Sequence, residues 1–224
     1  SFGGKNFHFG VREHGMGGIL NGLALYGGFI PFGATFLVFA DYMRPTVRMA
    51  NIMGIQVIYV YTHDSIFVGE DGPTHEPVEQ VASLRLIPGM TVIRPADGPE
   101  VAAAWAWALR HQDGPTALIL TRQSVPAIER QQAFSCEAFG QGAYAISSTP
   151  GREPELVLIG TGSELQLAVA AGKALEERGY AVRVVSMPSQ ELFLKQDKTF
   201  QETLIPKGAR KVVIEAGVRF GWDR

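Results

Sequence analysis

Short apolar runs alternate with segments of helical period along most of the chain. Met16, Ile19, Leu20 and Leu23 fall on one face of a helix over residues 12–26, which Gly27-Gly28 ends. Ahead of it, residues 6–11 read as a short strand. Residues 35–39 read as an apolar strand, and 44–53 as a helix with Pro45 in its first turn and Gly54 just past its end. The β-branched run 56–61 predicts a third strand, and residues 77–86 a third helix. A strand over 91–93, a helix over 97–111 and a strand over 116–121 follow. Asp97 and Glu100 are spaced as a capping box, with Val101, Trp105, Ala108 and Leu109 as the inward stripe.

From Arg122 to about Gly140 the apolar period lapses around Pro126, as in an interdomain linker. Alternation then resumes with strands over 156–159, 182–185 and 212–214. Between the first two, Leu165, Ala168, Val169, Gly172 and Leu175 share a helix face, and Ser163 and Gln166 are spaced as a second capping box. Continuously apolar strands alternating with helices imply an α/β fold of mostly parallel sheets, covered by helices on both faces. The expected organisation is a domain over 1–125, a linker over 126–140 and a domain over 141–224. The second unit is short for a doubly wound domain and the opening Ser1-Phe2-Gly3-Gly4 has no initiator methionine, so both ends read as cut.

Composition narrows the function classes. With 46% hydrophobic residues in 224, a sizeable core is available. The net charge of −2 comes from well-mixed acids and bases, which argues against a nucleic-acid footprint or a membrane-surface helix. No apolar segment approaches the roughly 20 residues that span a bilayer. A single cysteine, Cys136, excludes an internal disulfide and fits a reducing, cytoplasmic setting. No Gly-x-Gly-x-x-Gly follows a strand and no Walker A loop is present, so neither a dinucleotide nor a nucleoside triphosphate is supported. Gly160-Thr161-Gly162-Ser163 reads as a tight turn with a serine cap more readily than as an anion loop.

The densest chemistry lies in Gly69-Glu70-Asp71-Gly72-Pro73-Thr74-His75. Gly72-Pro73 forces a tight turn, which puts Asp71 and His75 on a rigid loop after a strand, where open α/β sheets bind ligands. His63, Asp71 and His75 are metal-ligand types, but their spacing fits no helix-borne metal motif. A polar substrate site fits better, because imidazoles and a carboxylate hydrogen-bond hydroxyls and carry protons near neutral pH. Arg122, closing the strand over 116–121, is either a surface arginine or a bidentate phosphate clamp. Glu13 in a first helical turn complements the macrodipole. Phe36, Phe39 and Tyr42, three residues apart, are either core or a flat slot for a planar heterocycle.

These segments occur in a particular order: Gly10-Val11-Arg12-Glu13-His14-Gly15-Met16-Gly17, Thr35-Phe36-Leu37-Val38-Phe39, Thr62-His63-Asp64-Ser65, the loop from Gly69 to His75, Arg94-Pro95-Ala96-Asp97 and Thr121-Arg122-Gln123. The set closely resembles the transketolase family of thiamine diphosphate enzymes, over essentially the whole chain. The resemblance implies a pyrimidine-binding fold followed by an incomplete C-terminal domain. It also implies transfer of a two-carbon ketol unit from a ketose phosphate to an aldose phosphate, in the pentose phosphate or Calvin pathway. Glu13 then corresponds to the glutamate that hydrogen-bonds the aminopyrimidine, with Phe36, Phe39 and Tyr42 around that ring. His63 and Arg122 correspond to donors to the substrate phosphate, and Asp71 and His75 face the sugar hydroxyls and the reacting carbon, so Glu13 and His75 carry the catalytic roles. The ligands for the diphosphate and for Mg²⁺ or Ca²⁺ are expected outside this chain, from a diphosphate-binding domain or subunit within a homodimer. Phe67 stands where the family usually has glycine, Gly15 where alanine is common, and Ser124-Val125 where Asn-Leu is common. The rival expectations are a dihydroxyacetone synthase or deoxyxylulose-phosphate synthase type of thiamine enzyme, and a non-catalytic transketolase-like interaction module.

Overall fold

A computed structural model describes residues 4–223; residues 1–3 and 224, the outermost positions of the two expected domains, lie outside the described residues. The first unit runs α1 (Glu13–Tyr26), β1 (Phe32–Phe36), α2 (Ala40–Met53), β2 (Ile58–Thr62), α3 (Gln80–Arg85), β3 (Thr91–Ile93), α4 (Gly98–Arg110) and β4 (Thr116–Ile119). Its four strands pair in parallel in the order β1-β2-β4-β3. The second unit runs α5 (Cys136–Gly140), β5 (Tyr144–Ser148), β6 (Leu156–Gly160), α6 (Leu165–Glu176), β7 (Val182–Ser186), α7 (Gln190–Leu194), α8 (Lys198–Leu204) and β8 (Arg210–Ile214). Here the order is β5-β7-β6-β8, with β5 antiparallel to β7 and the other pairs parallel. This is the expected α/β fold of mostly parallel sheets.

The inner strands β2, β4 and β6 are largely apolar because both of their faces are covered, whereas β1 and β8 at the sheet edges stay partly exposed. Tyr59 and Tyr61 of β2 point to a cluster with Met16 and Leu20 of α1 and Met43 and Val47 of α2. Ile58 and Val60 point the other way, toward Ala103, Ala104 and Ala108 of α4. That second cluster continues without a break through Phe139 and Tyr144 to Leu158, Val184, Leu165 and Ala168. A third cluster joins Val157, Ile159 and Val185 to Phe193 and Leu204 on the far face of the second sheet.

Several local expectations change. Residues 6–11 form no strand, and the strand expected over 35–39 is displaced to Phe32–Phe36. Leu37–Phe39 instead make a 3-10 turn that leads directly into α2. The helix therefore starts one turn sooner than Pro45 suggests, and Pro45 lies inside it. Gly54 closes α2 in the left-handed conformation, as a helix-ending glycine does.

Asp97 caps α4 by accepting from the Glu100 amide at 3.2 Å, but Glu100 does not return the bond as a capping box requires. Its carboxylate turns inward and accepts from the Ala96 amide at 2.8 Å and from the Tyr144 and Ser186 hydroxyls at 2.7 Å each. The buried stripe of α4 is its alanines, whereas Leu109 is 47% exposed. Ser163 is no cap: it sits in a 3-10 turn over Gly162–Glu164, where it donates to Glu164 at 2.6 Å.

The stretch expected as a linker is anchored. Arg130 grips both oxygens of Asp97 at 2.9 Å and donates to the Tyr144 hydroxyl at 3.0 Å, and α5 follows. Edge strand β5 has no counterpart among the expected elements.

Candidate active site

Parallel pairing brings the carboxyl ends of β1, β2 and β4 to one edge of the first sheet, so the residues that follow them converge. Phe36 ends β1 and Phe39 lies one 3-10 turn on, with their rings near parallel at 13° and 6.0 Å between centroids. Tyr42, in the first turn of α2, is 6.0 Å from Phe39. His63 follows β2 and stacks on Phe36 at 3.5 Å. His75 meets Phe39 edge-on at 5.5 Å and Phe36 at 6.5 Å.

The loop that delivers His75 is built by turn chemistry. Gly69 and Gly72 both take positive φ, with the Gly72 amide on the Gly69 carbonyl and the His75 amide on the Gly72 carbonyl. Thr74 Oγ1 then meets the His75 Nδ1 at 2.9 Å. His63 is the one non-glycine residue with positive φ, +58°, among the described residues. Holding a side-chain-bearing residue there costs roughly 1–2 kcal/mol, so the surroundings must impose it.

Burial pulls the His63 imidazole below its ordinary value; Asp71 and Asp64 oppose that shift and Arg122 adds to it. The ring is therefore neutral at pH 7, with the charges of Asp71 and Arg122 both acting on it. Arg122 lies 3.6 Å from Glu70, a residue that sequence reasoning did not single out. Both side chains are exposed, so the pair adds little stability and leaves the guanidinium free to meet an anion.

Glu13 starts α1, half-buried, and lines a cavity of about 870 Å³ with Phe9, Met16, Leu20, Phe29 and Phe32. The cavity reaches Thr35, one residue before Phe36, but Phe36, Phe39 and Tyr42 do not line it. The structure thus gathers Phe36, Phe39, Tyr42, His63, Asp71, His75 and Arg122 around one sheet edge and sets Glu13 in the neighbouring hollow. A carboxylate acceptor in an aromatic-walled cavity, beside near-parallel rings, suits a planar nitrogen heterocycle. Among the described residues, no group of three or more His, Cys, Asp or Glu side chains is arranged to hold a metal ion.

One part of the site had no sequence signal beyond the Arg94-Pro95-Ala96-Asp97 motif. Arg94 follows β3 and is fully buried between the two units. Its Nε and Nη2 donate to Asp64 at 3.0 and 2.6 Å, and its Nη1 donates to Glu164 and to the carbonyl and hydroxyl of Thr161. Burial alone would lower its proton affinity, but Asp64, Glu164 and Glu215 outweigh it and hold the guanidinium above the ordinary arginine value. Glu215 is itself pushed down to about 2: burial works against ionisation and the bidentate Arg85 pair prevails. The tight turn at Gly160-Thr161-Gly162-Ser163 serves this arrangement. The Thr161, Gly162 and Glu164 amides are spent on the Ile214, Arg94 and Thr161 carbonyls, so no anion loop is presented.

A parallel α/β unit with its polar cluster at the carboxyl edge of the strands, where open α/β sheets bind ligands, is packed on a second, mixed-sheet α/β unit. The model for "Transketolase, pyrimidine binding domain" matches residues 2–127, and that for the "Transketolase-like TK C-terminal domain" matches 142–224. The chain belongs to the transketolase family. It is 52% identical to a transketolase of Aquifex aeolicus over 98% of this chain and 32% of that protein. The solved transketolase of Leishmania mexicana superposes with a TM-score of 0.91 at 50% identity, covering 96% of this chain and 31% of that one. A Pichia stipitis transketolase mutant described as a complex with fructose 6-phosphate superposes at 0.89 with 40% identity, covering 95% of this chain and 31% of that one. The chain spans about a third of the length of the curated relatives it matches.

Proposed function

We propose that this chain supplies the pyrimidine side of a thiamine diphosphate-dependent transketolase, moving a two-carbon ketol unit from a ketose phosphate to an aldose phosphate. Family membership supports the reaction class, and the position of Glu13 in an aromatic-walled cavity beside the sheet edge carries the residue assignment. When bound, the cofactor would supply the nucleophile and the electron sink for carbon–carbon cleavage. Glu13 accepts a hydrogen bond from the aminopyrimidine ring and selects its reactive tautomer. Phe36, Phe39 and Tyr42 hold the ring and exclude water. Asp71 and His75 orient the sugar hydroxyls near the reacting carbon, and His75 passes a proton there. His63 and Arg122 receive the substrate phosphate, the neutral imidazole as a hydrogen-bond donor and the guanidinium as a charge.

A diphosphate-binding domain supplies the ligands for the diphosphate and for Mg²⁺ or Ca²⁺, and two copies complete the site in a cytoplasmic homodimer. Among the described residues, no helix is long and apolar enough to cross a membrane.

The test is Glu13→Ala in the full-length enzyme. We expect kcat to fall by at least about 10²-fold, the scale of lost proton-transfer assistance, with the melting temperature unchanged. Retention of more than about a tenth of kcat refutes the role given to Glu13.

A further inference from the structure

We propose that Arg94 is a positioning residue for phosphate recognition: by clamping Asp64 against Thr161 and Glu164 of the second unit, it fixes the backbone that aims His63. This rests on the reading that His63 and Arg122 receive the substrate phosphate.

Three observations carry the inference. First, Asp64 immediately follows the left-handed His63 and is 2% exposed, with two Arg94 donors on one of its oxygens. The strained peptide is thus held from its carboxyl side. Second, Arg94 is itself immobilised by the second unit. Its amide donates to the Pro188 carbonyl at 2.8 Å, its carbonyl accepts from the Gly162 amide at 3.1 Å, and its Nη1 is spent on Thr161 and Glu164. Gly162 is shaped to it: φ is +53°, and a Cβ there would lie 2.8 Å from the Arg94 guanidinium carbon. Third, Glu164 reaches the other phosphate-side residue by a separate route. Gln123, next to Arg122, donates to Ser163 at 3.3 Å, and Ser163 donates to Glu164 at 2.6 Å.

Arg94 and Glu164 therefore join the chain neighbours of His63 and Arg122 to one buried cluster, while touching neither residue themselves. A role in folding alone explains this poorly. Buried ion clusters often contribute less net stability than apolar packing of the same volume, and specifying one arrangement is their better-attested use. In these terms the second unit sets how well the first reads a phosphate.

The test compares fructose 6-phosphate with fructose as ketol donor in the full-length enzyme. The readout is the ratio of their kcat/KM values. In Glu164→Gln and Asp64→Asn this ratio should fall at least about fivefold, the low end of coupling between sites, with the loss concentrated on the phosphorylated donor. Should Glu164→Gln not fold, Arg94→Lys takes its place, because it keeps the buried charge but its single nitrogen cannot replace the three guanidinium nitrogens spread between Asp64 and the Thr161 and Glu164 side. An unchanged ratio, or an equal loss on both donors, overturns the inference. Arg122→Ala and His63→Ala separate the two levels. If they lower the ratio and the buried variants do not, the positioning role alone fails. If they too leave it unchanged, the phosphate reading fails and takes the positioning role with it.

Discussion

Replacing Tyr144 by phenylalanine removes one oxygen from the seam between the two units. That hydroxyl donates to the fully buried Glu100 at 2.7 Å and accepts from Arg130 at 3.0 Å. Hydrogen bonds to charged groups contribute about 1.5–3 kcal/mol, and Arg130 keeps its two bonds to Asp97, so the expected loss near pH 8 is about 2 kcal/mol. Burial raises the Glu100 carboxyl above its ordinary value, against the pull of Tyr144, Ser186 and the Ala96 amide. A carboxyl raised on folding contributes stability below its unfolded value and loses it as pH rises through its folded value. Tyr144→Phe removes a donor that favours the ionised form, so its cost is full where Glu100 is charged. It shrinks as acid neutralises the group. Urea unfolding of the full-length protein, followed by tryptophan fluorescence, should show the loss diminishing as pH is lowered from about 8 into the acid range. A loss independent of pH, or below about 0.5 kcal/mol at pH 8, refutes the charged hydrogen bond as its source.

Arg122→Ala should raise KM for a phosphorylated ketose by about 10–100-fold through loss of charge-assisted bonds, and an equal rise for the unphosphorylated sugar removes the clamp assignment. Gly142→Ala should cost at least about 3 kcal/mol in the same urea assay. Gly142 holds φ at +89°, and a Cβ would sit 2.3 Å from the Phe193 nitrogen and 2.6 Å from the Ser189 oxygen, both backbone atoms. A loss under about 1 kcal/mol would mean that α7 moves aside.

How far the sequence discloses the molecule depends on how local each cause is. The inner strands of the first sheet are legible because burial on both faces leaves Ile58 to Thr62 and Thr116 to Ile119 almost wholly apolar. Edge strand β5 is not, because its in-out alternation lasts only from Tyr144 to Ile146 and its register breaks between Ala145 and Ser147, too short a run to report a period. Leu37 to Phe39 mislead because apolar residues suit a strand and a 3-10 turn equally well. Asp71 and His75 are legible from turn chemistry and His63 from its place just past β2, whereas Arg122 lies in the loop beyond β4, which ends at Ile119 and not at the expected 121. Arg94 is opaque: its partners Asp64 and Glu164 lie 30 and 70 residues away in sequence, a separation no periodicity reports. Arg130 is hidden for the same reason, 33 residues from Asp97, and so its segment reads as a linker.

The unbroken apolar cluster from β2 and β4 through α4 to α6 has a consequence for how such a chain can be recombined. A crossover between two homologous parents at residues 126–140 looks harmless in sequence. It would nonetheless set the Ala103, Ala104 and Ala108 face of one parent against a Phe139, Tyr144 and Leu165 surface shaped for the other. Close-packed interiors register a mismatch of a single methylene. Chimeras that keep α4 through α6 from one parent should therefore be recovered more often than those divided at the apparent boundary.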